Sequence, residues 1–382
     1  MNFSKDLRIA WLLTSAFYYW HPPIAYLAKL FPETTAFVAN WRGYAPGFED
    51  SFKINIVGER KIIPIFKEGK SYGTYFTYLP LNIVNRLLQF KPDVIFANSF
   101  GVWTILALLF KPFGQWRVVI AYEGSSPGVD YRNSNVRLSM RRTMVRAADA
   151  CITNSQAGEA YLTKVLNADP SRVFVHPYEV PDPNAMLGEK KAGIPELPSY
   201  QQPIFVFVGS ISTRKGLNFL LDACALLHTQ GFNRYTVLVV GDGEQQEELK
   251  QFAQEKGLSD RIQWTGRVEY GNLGAYFSAA DVFVLPTLED TWGMVTLEAM
   301  VLGKPVLCSK WAGTSELVIQ GENGYSFDPY EPQQLADLMR RFIEDPNLAS
   351  IMGAKARQFM AQYTPEEAAK FLSQVTSVVL EE

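Results

Sequence analysis

Short apolar runs alternate with amphipathic stretches along the whole chain, and this alternation limits the fold more than any other feature. The first half offers "RIAWLLT", "TAFVAN", "DVIFAN", "RVVIAYEG", "ACITNS" and "RVFVHP". The second offers "PIFVFVGS", "TVLVVGDG", "IQWTG", "DVFVLPT", "PVLCSK" and "GYSFDP", separated by helical stretches such as "LNFLLDACALLHTQ" and "QQLADLMRRFIED". Strands that alternate with helices in this way predict βα repeats and parallel sheets. From Pro181 to Pro203 the periodicity lapses into a segment rich in Pro, Lys, Glu and Gly, which reads as a linker. With 382 residues the chain is too long for one comfortable core. Two doubly wound α/β domains in tandem, with 184–202 between them, is the economical expectation.

Bulk properties narrow the function classes. With 47% hydrophobic and 20% charged residues the chain reads as an ordinary globular protein. A net charge of −3, with no Lys/Arg-rich run and no zinc-finger spacing, argues against a nucleic-acid binder. Residues 1–183 carry 20 Lys/Arg against 14 Asp/Glu, and residues 184–382 carry 16 against 25. A basic front half suits an anionic acceptor or an anionic membrane surface, or it is an uneven solvated surface. Cys151, Cys224 and Cys308 lie in apolar stretches and cannot all pair within one chain, so a reducing, cytoplasmic setting is expected. The longest apolar run, "FGVWTILALLF", has about half the residues a membrane-spanning helix needs, and predicts a buried helix. The start, "KDLRIAWLLTSAF", imitates a signal peptide, but Asp6 favours a first core strand.

In open parallel sheets ligands bind at the carboxyl ends of strands, so chemistry is sought just after the apolar runs. After "PIFVFV" comes "GSISTRKG", with Gly209, Ser210, Arg214 and Lys215 ahead of a helix from Leu217. A helix N-terminus with two cations beside it suits a diphosphate. The loop is neither a Walker loop nor GxGxxG. After "DVFVLP" comes "TLEDTWGMVTLEAM", where Asp290 precedes Gly293 and Glu298 lies more than a turn inside the next helix. The amides of Gly293 and Met294 then face an anion, and a carboxylate accepts the paired hydroxyls of a ribose. The alternative is capping by Asp290 or Thr291, with Glu298 on a solvated face. A third strand end, "AGTSEL", repeats the theme with Gly313 and Glu316, and three such loops in succession point to a built site.

Taken together, "FVGSISTRKG", "VVGDGE", "TGRV", "AADVFVLPTLEDTWGMVTLEAMVLGKPV" and "GTSELVIQGENGYSF" resemble glycosyltransferase family 4, retaining enzymes of the GT-B fold. The likeness is dense from about 203 to 345. It is thinner in the first half, in "KPDVIFANS", "VVIAYEG" and "AADACITNSQAGEAYL". It implies two Rossmann-like domains facing across a cleft: 1–183 with a returning helix at 364–382 on the acceptor side, and 203–363 on the donor side. It further implies that Glu298 holds the ribose, Lys215 the diphosphate with the Met294 and Val295 amides, Asp290 the donor sugar, and the backbone of Arg267 and Val268 the base. Three positions depart from the family. Asp290 stands where Glu is usual, Ser210 where Arg is usual, so that Arg214 takes over that charge, and Glu123 where a His is common.

The resemblance implies a hexosyl transfer from a nucleotide diphosphate sugar, UDP-glucose first among them, to a hydroxyl of a saccharide or lipid-linked saccharide. Glu123, Lys215 and Asp290 are the expected catalytic groups. His21, Asn98 and Ser99, with the loops "TSAFYYWHPP" and "EGSSPG", are expected on the acceptor side. His176 and His228 are expected outside the site. Neither a DxD sequence nor a His/Cys cluster with ligand spacing occurs, so no cofactor and no metal is expected. Arg137, Arg141, Arg142 and Arg146 lie at largely helical spacing, either as a solvated face or as an attraction for a phospholipid-linked acceptor at the inner face of a membrane. Two other readings stay open: a nucleotide-sugar epimerase on the same fold, and a degenerate, non-catalytic member that binds sugar nucleotide or a partner.

Overall fold

The structure is a computed structural model and describes residues 6–64, 75–187 and 200–381. The chain divides into two compact units, Met1–Val180 with Tyr363–Glu382, and Pro181–Gln362.

The first unit contains β1 (Ile9–Leu13), β2 (Thr35–Val38), β3 (Lys53–Ile56), β4 (Lys61–Pro64), β5 (Tyr75–Tyr78), β6 (Val94–Asn98), β7 (Arg117–Tyr122), β8 (Ala150–Thr153) and β9 (Val173–Val175). Seven of them form a sheet in the order β3-β2-β1-β6-β7-β8-β9, parallel throughout, while β4 and β5 pair as an antiparallel ribbon. Strand β3 was not among the expected runs. Its Lys-Ile-Asn-Ile sequence sits at the sheet edge, partly exposed, so it never needed the continuous apolar run that marks an interior strand. Residues 365–381 form a helix of this unit that packs against the helix His21–Leu30.

The second unit contains β10 (Ile204–Val208), β11 (Thr236–Val240), β12 (Ile262–Gly266), β13 (Val282–Leu285), β14 (Val306–Ser309) and β15 (Gly324–Phe327), parallel in the order β12-β11-β10-β13-β14-β15. Strands β10, β11, β13 and β14 are buried along their whole length, which is why they read as unbroken apolar runs. Of the expected linker, 188–199 lies outside the described residues, and its beginning is not a linker. Pro183–Leu187 is a short helix with Ala185 and Met186 buried. Pro183 suits a first helical position, and the Asp182 side chain accepts from the Asn184 amide at 2.8 Å. Met186 lies so close to Gly274 that a Cβ there would stand 2.5 Å from its carbonyl oxygen. All three cysteines are buried free thiols. Among the described residues no helix is long and apolar enough to cross a membrane.

Candidate functional site

In the second unit β10 pairs with β11 on one side and β13 on the other, so winding reverses between β10 and β13. Their carboxyl ends therefore form the switch point where such sheets hold ligands. The loops leaving these strands, 209–216 and 286–293, are neighbours there, although 75 residues separate their key side chains. Lys215 Nζ donates to Asp290 Oδ2, and a guanidinium nitrogen of Arg214 lies 3.8 Å from the same oxygen. Arg214 also knits the two loops. Its Nη1 donates to the Glu289 carbonyl at 2.8 Å, and its carbonyl accepts from the Leu288 amide at 2.8 Å and the Thr287 hydroxyl at 3.0 Å. The approach is close enough to need a glycine. Gly216 has φ +66°, and a Cβ there would stand 2.2 Å from the Pro286 carbonyl oxygen.

The loop after β14 braces the acid. Asp290 N donates to the Trp311 carbonyl at 3.2 Å, and Gly313 N donates to the Asp290 carbonyl at 3.1 Å. The helix Met294–Val301 then starts from Gly293, at φ +91°. Its first internal bond runs from Thr296 N to the Gly293 carbonyl at 2.9 Å, so the positive end of the helix opens at 293–295. The N-cap position is Gly293 itself, which brings no side chain to the helix end.

Glu298 lies one turn in and is buried, not on a solvated face. Burial pushes its carboxyl up to about 7, against the neighbouring Tyr270 hydroxyl and the charge of Lys215, which both hold it down. Tyr270 itself is raised well above its ordinary value, by burial first and then by Glu298. Tyr270 and Thr287 belong to the site without having been singled out from the sequence. Tyr270 stands three residues beyond Arg267 in the loop leaving β12, so an aromatic hydroxyl beside a candidate base-binding loop was the available signal.

The remaining candidates divide. Gly209 closes on β11, its amide donating to the Val240 carbonyl at 3.0 Å, while Ser210 is exposed with its Oγ 3.4 Å from that of Ser212. Arg267 is exposed and Val268 half-buried just past β12. Met294 and Val295 are half-buried at the helix start. The second unit thus gathers two cations, a helix N-terminus and a buried carboxylate within three adjoining loops. That set can neutralise a diphosphate and accept from paired hydroxyls.

In the first unit the switch point lies between β1 and β6. Asn98 ends β6, and Ser99, at φ +56°, donates its amide to the Ala121 carbonyl of β7 at 2.7 Å. Glu123 follows β7. Asn154 clamps its backbone, Nδ2 donating to the Glu123 carbonyl at 3.1 Å while Oδ1 accepts from the Tyr178 and Glu179 amides at 2.9 and 3.1 Å. Two expectations fail here. His21 is fully buried, stacked on Trp41 and edge-on to Tyr44 and Phe52, with Nδ1 accepting from the Ala45 amide at 2.8 Å. Burial lowers it to about 4, so it is a neutral core residue rather than an acceptor ligand. The arginine helix, 135–147, is not a uniformly solvated face. Arg141 is buried and donates to the Tyr161 hydroxyl at 2.7 Å and to the Asp130 carbonyl at 3.2 Å, because Asp130 and Tyr161 form a polar core beneath it. Arg142 is tied to the Val165 carbonyl.

Comparison with known proteins matches residues 191–359 to the glycosyl transferases group 1 and residues 25–178 to glycosyltransferase family 4. A sulfoquinovosyl transferase of Arabidopsis thaliana is 25% identical over 371 residues, covering 87% of this chain and 70% of that protein. An alpha-D-kanosaminyltransferase of Streptomyces kanamyceticus is 29% identical over 155 residues, covering 41% of this chain and 40% of that protein. A D-inositol 3-phosphate glycosyltransferase of Streptomyces scabiei is 30% identical, covering 56% of this chain and 50% of that protein. The chain thus spans 40 to 70% of the length of these three relatives. Among solved structures, an Anabaena protein in complex with UDP-glucose superimposes with TM-score 0.71 at 20% identity, covering 99% of this chain and all of that one. Sucrose-phosphate synthase from Thermosynechococcus elongatus superimposes with TM-score 0.72 at 22% identity, covering 98% of this chain and all of that one. At such identities the superpositions establish the two-domain fold.

Proposed function

The chain belongs to the group 1 glycosyltransferases of family 4, and from that membership we propose that it is a retaining hexosyltransferase using a UDP-sugar, glucose first among them. The observation that carries the reading is the buried Glu298 carboxylate one turn behind the Gly293 helix start, beside Lys215. Complexes of the Anabaena structural neighbour with UDP and with UDP-glucose support the choice of donor.

In this reading Glu298 accepts the two ribose hydroxyls, and the backbone at Arg267 and Val268 meets the base. Lys215 exchanges part of its pairing with Asp290 for the diphosphate, with Arg214 and the amides of 293–295 sharing the charge. Asp290, released on one side, accepts a hydroxyl of the donor sugar. The bond from the anomeric carbon to the phosphate oxygen breaks first, and the cationic groups stabilise the departing phosphate. The acceptor hydroxyl attacks on the same face. Its proton passes to the leaving phosphate oxygen, so the configuration is kept and no side-chain base is required. Glu123 binds a hydroxyl of sugar or acceptor, with Asn98 and Ser99 on the acceptor side, and the acceptor is a saccharide or lipid-linked saccharide. Since protein cations do the electrostatic work, the reaction proceeds without a divalent metal.

The test is calorimetric titration with UDP, GDP and ADP, then with their glucose, galactose and mannose conjugates, in EDTA. Tight binding of UDP and UDP-glucose, lost in Glu298→Ala, supports the donor reading. Failure of every nucleotide to bind would overturn it in favour of a non-catalytic homologue. Conversion of the donor without any acceptor would make the protein an epimerase.

A further inference from the structure

The carboxyl ends of β1, β2 and β3 lie side by side in the first unit, at the end where parallel sheets hold ligands. Three loops leave them, 14–20, 39–52 and 57–60. Backbone hydrogen bonds pin these loops together. The Arg60 amide donates to the Ala39 carbonyl at 3.1 Å, the Val57 amide to the Val38 carbonyl at 2.9 Å, and the Ala16 amide to the Asn40 carbonyl at 3.4 Å. Aromatic packing fixes the middle loop. Trp41 stacks on the buried His21 ring and meets Tyr44 edge-on, with centroids 4.9 Å apart. The Tyr44 hydroxyl donates to the Phe52 carbonyl at 2.7 Å.

Two guanidiniums converge on this frame. Arg42 lies in the middle loop, its Cζ 5.6 Å from the centre of the Phe17 ring, and Arg60 ends the third loop, half-buried. Burial first, and the charge of Arg42 second, push the Arg60 guanidinium below its ordinary value. Among the described residues neither guanidinium has a carboxylate in salt-bridge reach or an acceptor in hydrogen-bond reach. Glu59, next in the chain, and Asp50, whose charge acts on Tyr44, are exposed and pair with neither. Other arginines of this unit are answered: Arg117 by Asp149, Arg132 by Asp130, and Arg141 by Tyr161 and the Asp130 carbonyl. Like charges held together without an acid repel each other, and an anion removes that cost. Beside the pair, Phe17 and Tyr19 stack with centroids 5.7 Å apart, and Phe17 is 37% exposed.

We propose that Arg42 and Arg60 bind a phosphate monoester carried by the acceptor saccharide, whose sugar ring lies on Phe17. The planar guanidinium fork matches the oxygens of a phosphate, and a doubly charged group satisfies two cations at once. A carboxylate brings one charge and leaves the second cation without its own. The apolar face of a pyranose covers an exposed aromatic ring while its hydroxyls stay in water. That the bound molecule is the acceptor rests on the proposed transfer reaction, whereas the anion site rests on the first unit alone.

The experiment is phenylglyoxal labelling of the full chain, read by peptide mass spectrometry at Arg42, Arg60 and, as an internal control, the exposed Arg86. With a dissociation constant of about 1 mM, glucose 6-phosphate at about 10 mM should slow labelling of Arg42 and Arg60 roughly tenfold and leave Arg86 unchanged. Glucose at the same concentration, and sodium chloride at the same ionic strength, should slow neither. Arg42→Gln should keep the wild-type circular dichroism, and its protection of Arg60 should fall below about twofold, since one guanidinium then holds the phosphate alone. Equal protection by sodium chloride, protection of only one arginine, or undiminished protection of Arg60 in Arg42→Gln would each overturn the proposal. So would protection by dihexanoyl phosphatidic acid without protection by glucose 6-phosphate, which would put the phosphate on a lipid. Protection by UDP as strong as by glucose 6-phosphate would overturn it by giving the pair to the donor. The labelling needs neither donor nor turnover. Failed protection therefore leaves the donor site standing, and failure of every nucleotide to bind leaves the arginine result standing.

Discussion

Glu298 offers the sharpest test, because its structural position makes donor binding depend on pH in a calculable way. Burial raises the carboxyl from 4.5 to about 7 in the unliganded protein, while the proposed ribose recognition requires it ionised. Affinity for UDP-glucose should therefore be flat above pH 8 and fall about tenfold per pH unit below 7. At pH 6 about nine-tenths of the protein holds the proton, so binding should release close to one proton, and at pH 8.5 almost none. The nucleotide conjugate is the right ligand because its diphosphate, esterified at both ends, has no group titrating near neutrality. Stability runs the opposite way. A carboxyl whose folded value is raised contributes stability below pH 4.5 and loses it as pH climbs through 7. At pH 8 the ionised Glu298 thus costs the empty protein about 3 kcal/mol. Glu298→Gln keeps an acceptor for the Tyr270 hydroxyl and removes the charge. It should raise denaturant stability at pH 8 by up to about 3 kcal/mol while weakening UDP-glucose roughly 10- to 100-fold. Calorimetry in two buffers of different ionisation enthalpy reads the protons, and urea melts at pH 5 and 8 read the stability. Flat affinity from pH 6 to 8 with no proton release, or a Gln variant no more stable than wild type at pH 8, would refute the reasoning.

Lys215→Ala should cut turnover by about 10²- to 10³-fold and leave Asp290 buried without its main partner, costing roughly 3 kcal/mol of stability in urea melts. Adding Asp290→Asn should restore most of that stability and none of the turnover. Gly216→Ala puts a Cβ 2.2 Å from the Pro286 carbonyl at a positive φ, so the 209–216 loop must shift. Donor affinity should fall at least about tenfold while the melting transition stays cooperative, which calorimetry and circular dichroism check together. Glu123→Gln should leave donor affinity unchanged and lower turnover by about 10²-fold in a radiolabel transfer assay, whereas unchanged turnover would make Glu123 a structural residue.

The sequence carries the interior of both sheets plainly and the edges poorly. Strands β1, β10 and β11 are buried along their length, so burial alone dictates their apolar runs. Strand β3 is half in solvent and leaves no such mark. The donor loops are legible for a different reason. A glycine that two backbones force into being, as at Gly216, and a cation beside it both survive as letters in the chain. What the letters omit is direction. His21 sits next to two prolines whether it faces solvent or core, and only the aromatic residues Trp41, Tyr44 and Phe52 decide for the core. Likewise Arg141 has the spacing of a solvated arginine. It turns inward because Tyr161, 20 residues later, and the Asp130 carbonyl offer it acceptors in the core. Tyr270 could not be tied to Glu298 from the sequence, since the two meet only through the folded strand order, in which β11 and β10 lie between β12 and β13.

The pairing of Lys215 with Asp290 suggests how the two halves of a nucleotide sugar are read as one. Lys215 lowers the Glu298 carboxyl, so the cation proposed for phosphate also helps hold the anion proposed for ribose. A diphosphate that draws Lys215 from Asp290 leaves it still facing Glu298, whereas removing the lysine withdraws its help altogether. The consequence is testable with a ligand that carries no phosphate. In Lys215→Ala the pH midpoint for binding uridine should move above 7, although uridine never meets the missing ammonium in the phosphate position. Since desolvation already sets that carboxyl high, the loss of one nearby charge should weaken uridine most at pH 7 and little at pH 9, where the carboxyl ionises regardless. A uridine midpoint identical in wild type and variant would mean that Glu298 and Lys215 act separately. The lysine would then serve the leaving phosphate alone.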